Sequence, residues 1–267
     1  MKSRLSVLLT VYNDAQFLEA CLESVKWADE IVIVDMYSTD GSDKIFQAYT
    51  DKIYFHPHEI IVEHSQNYGI SKTTGEWILK LDPDERILPA LAHQIQEIVT
   101  NEAEIVAFRL PRKDYMFDRW IQYTGWQGDL KPGLIRLFKR KLVDWPKQVH
   151  AQPIINGKIG IVEYDPSIDN AIHHVNYTDL TQFIEKLNRY TTAEAQRLYQ
   201  LKRPFHWLKL FYQPCREFWW RFIQMQGYRD GIFGLILSLL RSFYIMVSYM
   251  KLWELERQIN NNEKDKQ

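Results

Sequence analysis

Asp82, Asp84 and Glu85 follow directly on the apolar run Trp77-Ile78-Leu79-Lys80-Leu81, with Pro83 between the first two acids. Carboxylates crowded at the end of a buried strand repel one another unless water or a positive charge relieves them. A solvated loop that caps the next helix is one solution, and a metal site is the other. Asp82 and Asp84 are two apart, so in extended geometry their side chains point the same way. Pro83 fixes its own φ and biases Asp82 toward extension. Paired carboxylates on a stiff turn suit a hard divalent cation with positions left open for phosphate oxygens. Asp82 and Asp84 are thus candidate metal ligands, with the solvated loop as the open alternative, and Glu85 reads as a helix-entry charge.

The elements around this corner must form a layered sheet. Leu5 to Val11 is an apolar run of strand length, and Asn13 or Asp14 can N-cap a helix carrying Phe17, Leu18, Cys21, Leu22 and Val25. "EIVIVD" is a β-branched run ending on Asp35, "STDGS" is a turn, a short helix lies near Lys44 to Tyr49, and a strand lies near Ile53. A helix covers Ser65 to Lys72, another covers Pro89 to Val99, and Ile105 to Leu110 is strand-like. Strands alternating with helices predict an α/β fold with a mostly parallel sheet covered on both faces. Ligands of such sheets bind beyond the carboxyl ends of the strands, which puts Asp35 and Asp82 along one edge.

The bulk properties narrow the function. Across 267 residues the composition is 46% hydrophobic and 25% charged, with a net charge of -1, which argues against general nucleic-acid binding. Two cysteines, Cys21 and Cys215, cannot build a metal framework and point to a reducing compartment. The apolar run in "MKSRLSVLLTVYND" is too short for a secretory signal, so the N-terminal part is expected in the cytoplasm.

Several blocks in order resemble the inverting glycosyltransferases of family 2, which have the GT-A fold, and in particular bacterial, membrane-associated members similar to lipopolysaccharide-core β-1,4-glucosyltransferases. The blocks are "LSVLLTVYND", "VKWADEIVIVDMYSTDGS", "NYGISKTTGEWILKLDPDE", "LIRLFKR" and "KLNRYTT". The resemblance implies a Rossmann-like GT-A domain over residues 1–196 and a nucleotide-sugar donor, with UDP the expected nucleotide. It implies that Thr10, Tyr12, Asp14, Asp35, Asn67 and Asp82 line the nucleotide, and that Asp82 and Asp84 hold Mg²⁺ or Mn²⁺. Each has a simpler alternative: Asp14 as a helix cap, Asp35 as a turn stabiliser, Asn67 as an ordinary polar contact. Two departures stand out. "MYSTDG" puts Met36 and Tyr37 where small residues are common, and "VHAQP" has Ala151 where relatives often carry a glutamate.

Inversion needs a base for the acceptor hydroxyl and a stabiliser for the departing diphosphate. Arg136 in "LIRLFKR" is the candidate cation for the diphosphate, with a sheet-edge salt bridge as the alternative. Asp129 in "TGWQGDLKPG" is the first candidate base, since Trp126 offers a sugar platform and an apolar neighbour that raises a carboxyl pKa. His150 is second and Asp144 third. His173 and His174 are adjacent on a strand and point to opposite faces, which excludes a shared metal; one of them is a structural histidine or lies near the donor phosphates.

From Leu201 onward the sequence is rich in aromatic and basic residues, as in "KRPFHWLKLFYQPCREFWWRFIQMQ". Residues 197–256 are read as amphipathic helices for a membrane surface or for oligomerisation, and 257–267 as a disordered tail. Gly231 to Met250 has the length of a membrane span, yet Arg241 sits near its middle. Three arrangements stay open: helices lying in the interface, a true span, and a soluble helical oligomerisation module. The expected partners are a nucleotide-sugar donor, a glycan or lipid-linked acceptor and the inner face of the cell membrane. The alternatives are transfer to polyprenyl phosphate and an inactive nucleotide-binding scaffold.

Overall fold

The computed structural model describes residues 4–57, 63–101, 104–126, 130–145 and 153–264. β1 (Leu5–Val11) and β2 (Glu30–Asp35) are apolar on both faces, so each must lie inside a covered sheet. They pair in parallel, with Val11 opposite Asp35. β4 (Trp77–Leu81) lies parallel on the other side of β1, and β3 (Ile53–Phe55) parallel on the far side of β2. β9 (Leu134–Lys139) runs antiparallel between β4 and β6 (Ile105–Leu110), and β12 (Lys158–Ile161) closes the row beside β6. The seven-stranded order is β12-β6-β9-β4-β1-β2-β3.

Alternate residues of β1 feed two cores, as period-two geometry requires. Leu5, Val7, Leu9 and Val11 meet α1 (Ala15–Val25) and α4 (Pro89–Thr100) through Leu18, Leu22, Leu91 and Ile95. Leu8, with Val32, Val34 and Ile78, faces α3 (Glu63–Lys72) through Ile70. α3 comes so close that a Cβ at Gly69 would lie 2.9 Å from a Leu8 methyl. The short helix near Lys44 is α2 (Ser42–Phe46).

One acid holds the amino end of this sheet. Glu30 is 5% exposed, and its carboxylate accepts bonds from Ser6 Oγ, Lys52 Nζ and the Thr74 amide and hydroxyl. Burial alone would raise its pKa, but the Lys52, Ser6 and Thr74 donors outweigh burial and bring it down to about 2. A folded pKa below the unfolded one gives stability that is complete above the unfolded value, near 4.5, and is lost as pH falls toward 2. Glu30→Gln is expected to abolish the part of this stability that is lost between pH 7 and pH 3, roughly 2 kcal/mol, measured by urea titrations at those two pH values. A variant as acid-labile as the parent would contradict this.

Two compact units divide the chain: residues 1–113 with 129–175, and residues 114–128 with 176–267. In the first, β5 (Glu85–Ile87) pairs antiparallel with β13 (Ile172–Tyr177). β10 (Val143–Asp144) pairs with β11 (Ile154–Ile155). β7 (Arg112–Met116) and β13 each run from one unit into the other.

The second unit contains β8 (Arg119–Trp120), paired with the end of β7, and the helices α5 (Leu180–Gln200), α6 (Trp207–Trp219) and α7 (Ile232–Lys264). Its core gathers Met116, Ile121, Tyr177, Phe183, Leu187 and Leu237. The sequence boundary at 196 falls inside α5, because the amphipathic face of that helix packs on α7. The segment read as a tail, 257–267, is helical as far as Lys264.

α7 has two unlike faces. Ile232, Ile236, Leu239, Phe243, Met250 and Trp253 recur at helical spacing and are exposed. Leu237, Arg241, Ser248 and Leu252 lie on the opposite face, where Leu237, Ser248 and Leu252 are buried. Arg241 therefore points away from the apolar stripe. Among the described residues, Ile232–Ile259 is the one helix long and apolar enough to cross a membrane.

Candidate active site

Two loops at the carboxyl ends of β1 and β2 are tied together by side chains. Asn13 takes a left-handed φ of 56°, and its Oδ1 accepts the Thr39 N–H at 2.8 Å. The Asn13 N–H donates to Ser38 Oγ at 3.0 Å, and the Asp14 N–H donates to Ser42 Oγ at 3.3 Å. Asp14 occupies the N-cap position of α1, yet its carboxylate accepts the Tyr12 N–H at 3.0 Å and caps nothing in the helix. Asp40 receives the Ala15 N–H at 2.9 Å instead. The cap expected from Asn13 or Asp14 thus comes from the neighbouring loop. Burial would raise the Asp40 carboxyl pKa, but bonds from Ser42 and Ala15 hold it below the ordinary value.

Asp35 ends β2 with only 2% exposure, and its carboxylate accepts both the amide and the hydroxyl of Ser38. It stabilises its own turn, as the simpler reading allowed. Thr10 sits one residue before the end of β1, paired with Val34. Met36 is buried, while Tyr37 adopts φ 61° and stacks on Phe55 with centroids 5.5 Å apart. A small residue would take that backbone conformation at lower cost; here the exposed aromatic pair accompanies it.

The acidic corner differs from the extended geometry expected of it. The Glu85 N–H donates to the Asp82 carbonyl at 2.9 Å, closing a turn with Pro83 at its second position. A turn rotates successive side chains apart, so the two aspartates engage different partners. Asp82 pairs with Arg136 at 2.5 Å and lies 3.6 Å from Lys80, with its side chain 43% exposed. Asp84 pairs with His174 Nε2 at 3.3 Å. Burial opposes the charge on Asp82, but Arg136 and Lys80 outweigh it and hold the carboxyl well below the usual range.

Glu85 opens a strand, not a helix, and its side chain is fully buried. It meets Arg136 at 2.6 Å and Arg112 at 3.3 Å, and its Oε2 accepts the Asp82 N–H. Arg136 lies on central strand β9, 6% exposed, where Asp82 and Glu85 raise its pKa against the effect of burial. The guanidinium expected to grip a diphosphate, with a salt bridge as the alternative, makes salt bridges to Asp82 and Glu85 from a central strand of the sheet, not from its edge. Glu85 and Ile87 alternate as a strand does, and that was the one local signal for this arrangement.

The paired histidines face opposite ways, as strand geometry demands. His173 Nε2 meets Asp169 at 3.0 Å, and burial lowers its pKa despite that carboxylate. His174 lies across from Glu85 in the β5–β13 ladder, which brings it to Asp84. Asn67 donates to Asp144 at 2.9 Å and to the Trp145 carbonyl at 2.8 Å, and accepts the Trp145 N–H at 3.1 Å. Its amide thus anchors the Asp144–Trp145 segment. Asp129, His150 and Ala151 lie outside the described residues. Among the described residues, no cluster of three or more His, Cys, Asp or Glu side chains forms a metal site. The Asp84–His174 pair supplies one hard oxygen and one imidazole nitrogen, a donor set compatible with Mn²⁺ or Mg²⁺ if phosphate oxygens and water complete it.

The lipopolysaccharide core biosynthesis glycosyltransferase LpsC of Rhizobium meliloti (strain 1021) is 26% identical over 259 residues, covering 95% of this chain and 93% of that protein. An uncharacterized glycosyltransferase of Rickettsia bellii (strain RML369-C) is 22% identical over 278 residues, covering 97% and 90%. Among solved structures, glucosyl-3-phosphoglycerate synthase from Mycobacterium tuberculosis, in complex with Mn²⁺ and UDP-glucose, is 14% identical with a TM-score of 0.39, over 52% of this chain and 57% of that one. Residues 6–155, more than half the chain, match glycosyl transferase family 2, and the chain belongs to that family.

Proposed function

We propose that the protein transfers a hexose from a nucleoside-diphosphate sugar, UDP-linked by preference, to a hydroxyl of a glycan or lipid-linked acceptor, with inversion at the anomeric carbon. The Asp84–His174 contact carries this reading. A carboxylate and an imidazole 3.3 Å apart have the separation of neighbouring ligands on an octahedral cation, about 3 Å for bonds near 2.1 Å. These two residues would hold Mg²⁺ or Mn²⁺, which would neutralise the diphosphate leaving group. Arg136 and Glu85 fix the turn that presents Asp84, and the latched loops carry Tyr12, Asp14 and Asp35 toward the nucleoside. The exposed Tyr37–Phe55 pair beside Asp35 offers a stacking surface for the base.

Asp129 is the proposed base, followed by His150 and Asp144. Ala151 favours a second reading, transfer to polyprenyl phosphate, whose oxygen is already ionised and needs no protein base. The likeness to LpsC supports an acceptor in envelope glycolipid assembly. Exposed Leu208, Phe211, Tyr212 and Trp219 on α6, with the apolar stripe of α7, support attachment to the inner membrane face.

Product analysis with a panel of nucleotide sugars is the test. Hydrolysis or transfer is expected from one UDP-sugar, lost with EDTA and restored by Mn²⁺. Metal-independent turnover would remove the role given to Asp84 and His174. Full activity of Asp129→Asn would favour the polyprenyl-phosphate reading.

A further inference from the structure

The helical unit holds a second site with its own chemistry. A cavity of about 140 Å³ opens among Trp126, Tyr177, Phe183, Tyr190, Tyr244 and Arg241. Its walls are aromatic: Trp126 meets Tyr177 edge-on at 6.3 Å, and Tyr177 meets Phe183 at 4.9 Å. Arg241 comes from the inward face of α7, with its guanidinium 4.5 Å from the Tyr244 ring centroid. The volume suits a single six-membered ring, since a cavity near 150 Å³ accepts benzene.

The charge in this region is unbalanced. Arg221 and Arg241 share a single carboxylate, Glu217, at 2.7 and 3.6 Å, and among the described residues no second acid lies within salt-bridge distance of either. Arg221 is held further by Thr124, its Nη1 donating to the carbonyl at 2.5 Å. Arg241 is the looser of the two and lines the cavity. A half-buried guanidinium with a partial claim on one carboxylate leaves a surplus positive charge, which an anion would offset. Burial raises the Tyr177 hydroxyl to about 12, so it stays protonated and able to donate. Aromatic faces, a phenol donor and a cation together match the apolar face, hydroxyls and charge of an acidic sugar.

We infer that this cavity binds a pyranose bearing an anionic group, carboxylate or phosphate, with the ring against the aromatic walls and the anion on Arg241. That this sugar belongs to the acceptor rests on the transferase reading; the binding itself does not. Calorimetry on the full chain, without donor, should compare glucuronate, glucose 6-phosphate, glucose and inorganic phosphate, with UDP and Mn²⁺ titrated into the same preparation. At least one acidic sugar is expected to bind about tenfold tighter than either glucose or phosphate, and the carboxylate and phosphate arms identify the anion. Arg241→Gln should remove that advantage, and Tyr190→Ala, which removes one aromatic wall, should weaken the three ring-bearing ligands and leave inorganic phosphate unaffected. Equal binding of glucose, equal binding of bare phosphate, or an unchanged Arg241→Gln variant would each overturn the inference. Loss of UDP binding with acidic-sugar binding intact would instead remove the transferase reading and leave this site standing.

Discussion

Alanine at Asp84 is expected to lower kcat/KM for sugar transfer by about three orders of magnitude while leaving the protein folded. The loss follows from the leaving group. Departure of a nucleoside diphosphate concentrates negative charge, and removing its preorganised stabiliser typically costs a factor on the order of 10² to 10³ or more. Folding should survive because the structural role of this residue belongs to its backbone: the Asp84 carbonyl accepts the Val175 N–H at 2.8 Å, and alanine retains that bond. His174→Ala should weaken Mn²⁺ binding in parallel. Only a neutral imidazole coordinates, so the Mn²⁺ requirement should rise as pH is lowered. Manganese titration with circular dichroism on the same samples checks both parts. Wild-type turnover by a folded Asp84→Ala variant would end the assignment.

Alanine at Glu85 should act on the fold. That carboxylate is fully buried between Arg136 and Arg112, and its removal leaves two guanidinium groups without their shared counter-charge. Breaking a buried ion pair from one side typically costs about 3 to 5 kcal/mol, several times the value of a surface pair. Urea unfolding should therefore shift strongly for Glu85→Ala and less for Arg136→Met, because Glu85 keeps Arg112 in the second variant. A change below about 1 kcal/mol would mean that water or relaxation screens the site.

The parallel strands were legible because their residues are apolar on both faces, which only a doubly covered sheet can accommodate. β1, the end of β2 at Asp35 and β6 accordingly lie where the pattern puts them. The corner after β4 was legible in type but not in geometry. Pro83 is as compatible with a turn as with an extended strand, and the bond from Glu85 to the Asp82 carbonyl decided between them. Contacts made across the fold left no local trace. Glu85 finds Arg136 at a separation of 51 residues, and Asp84 finds His174 only because β13 returns beside β5. The unit boundary was hidden for a similar reason: α5 reads as an ordinary amphipathic helix, and nothing local says which unit its apolar face will cover.

Under the proposed function, the cross-linked loops after β1 and β2 have a consequence for how a donor is met. Asn13, Ser38, Thr39, Asp40 and Ser42 fix both segments before any nucleoside arrives. The conformational freedom of these residues is lost on folding and need not be lost again on association. Nucleoside capture at this rim should thus resemble docking onto a rigid ledge, fast and with little rearrangement, and any slow ordering step in the catalytic cycle should arise elsewhere in the chain.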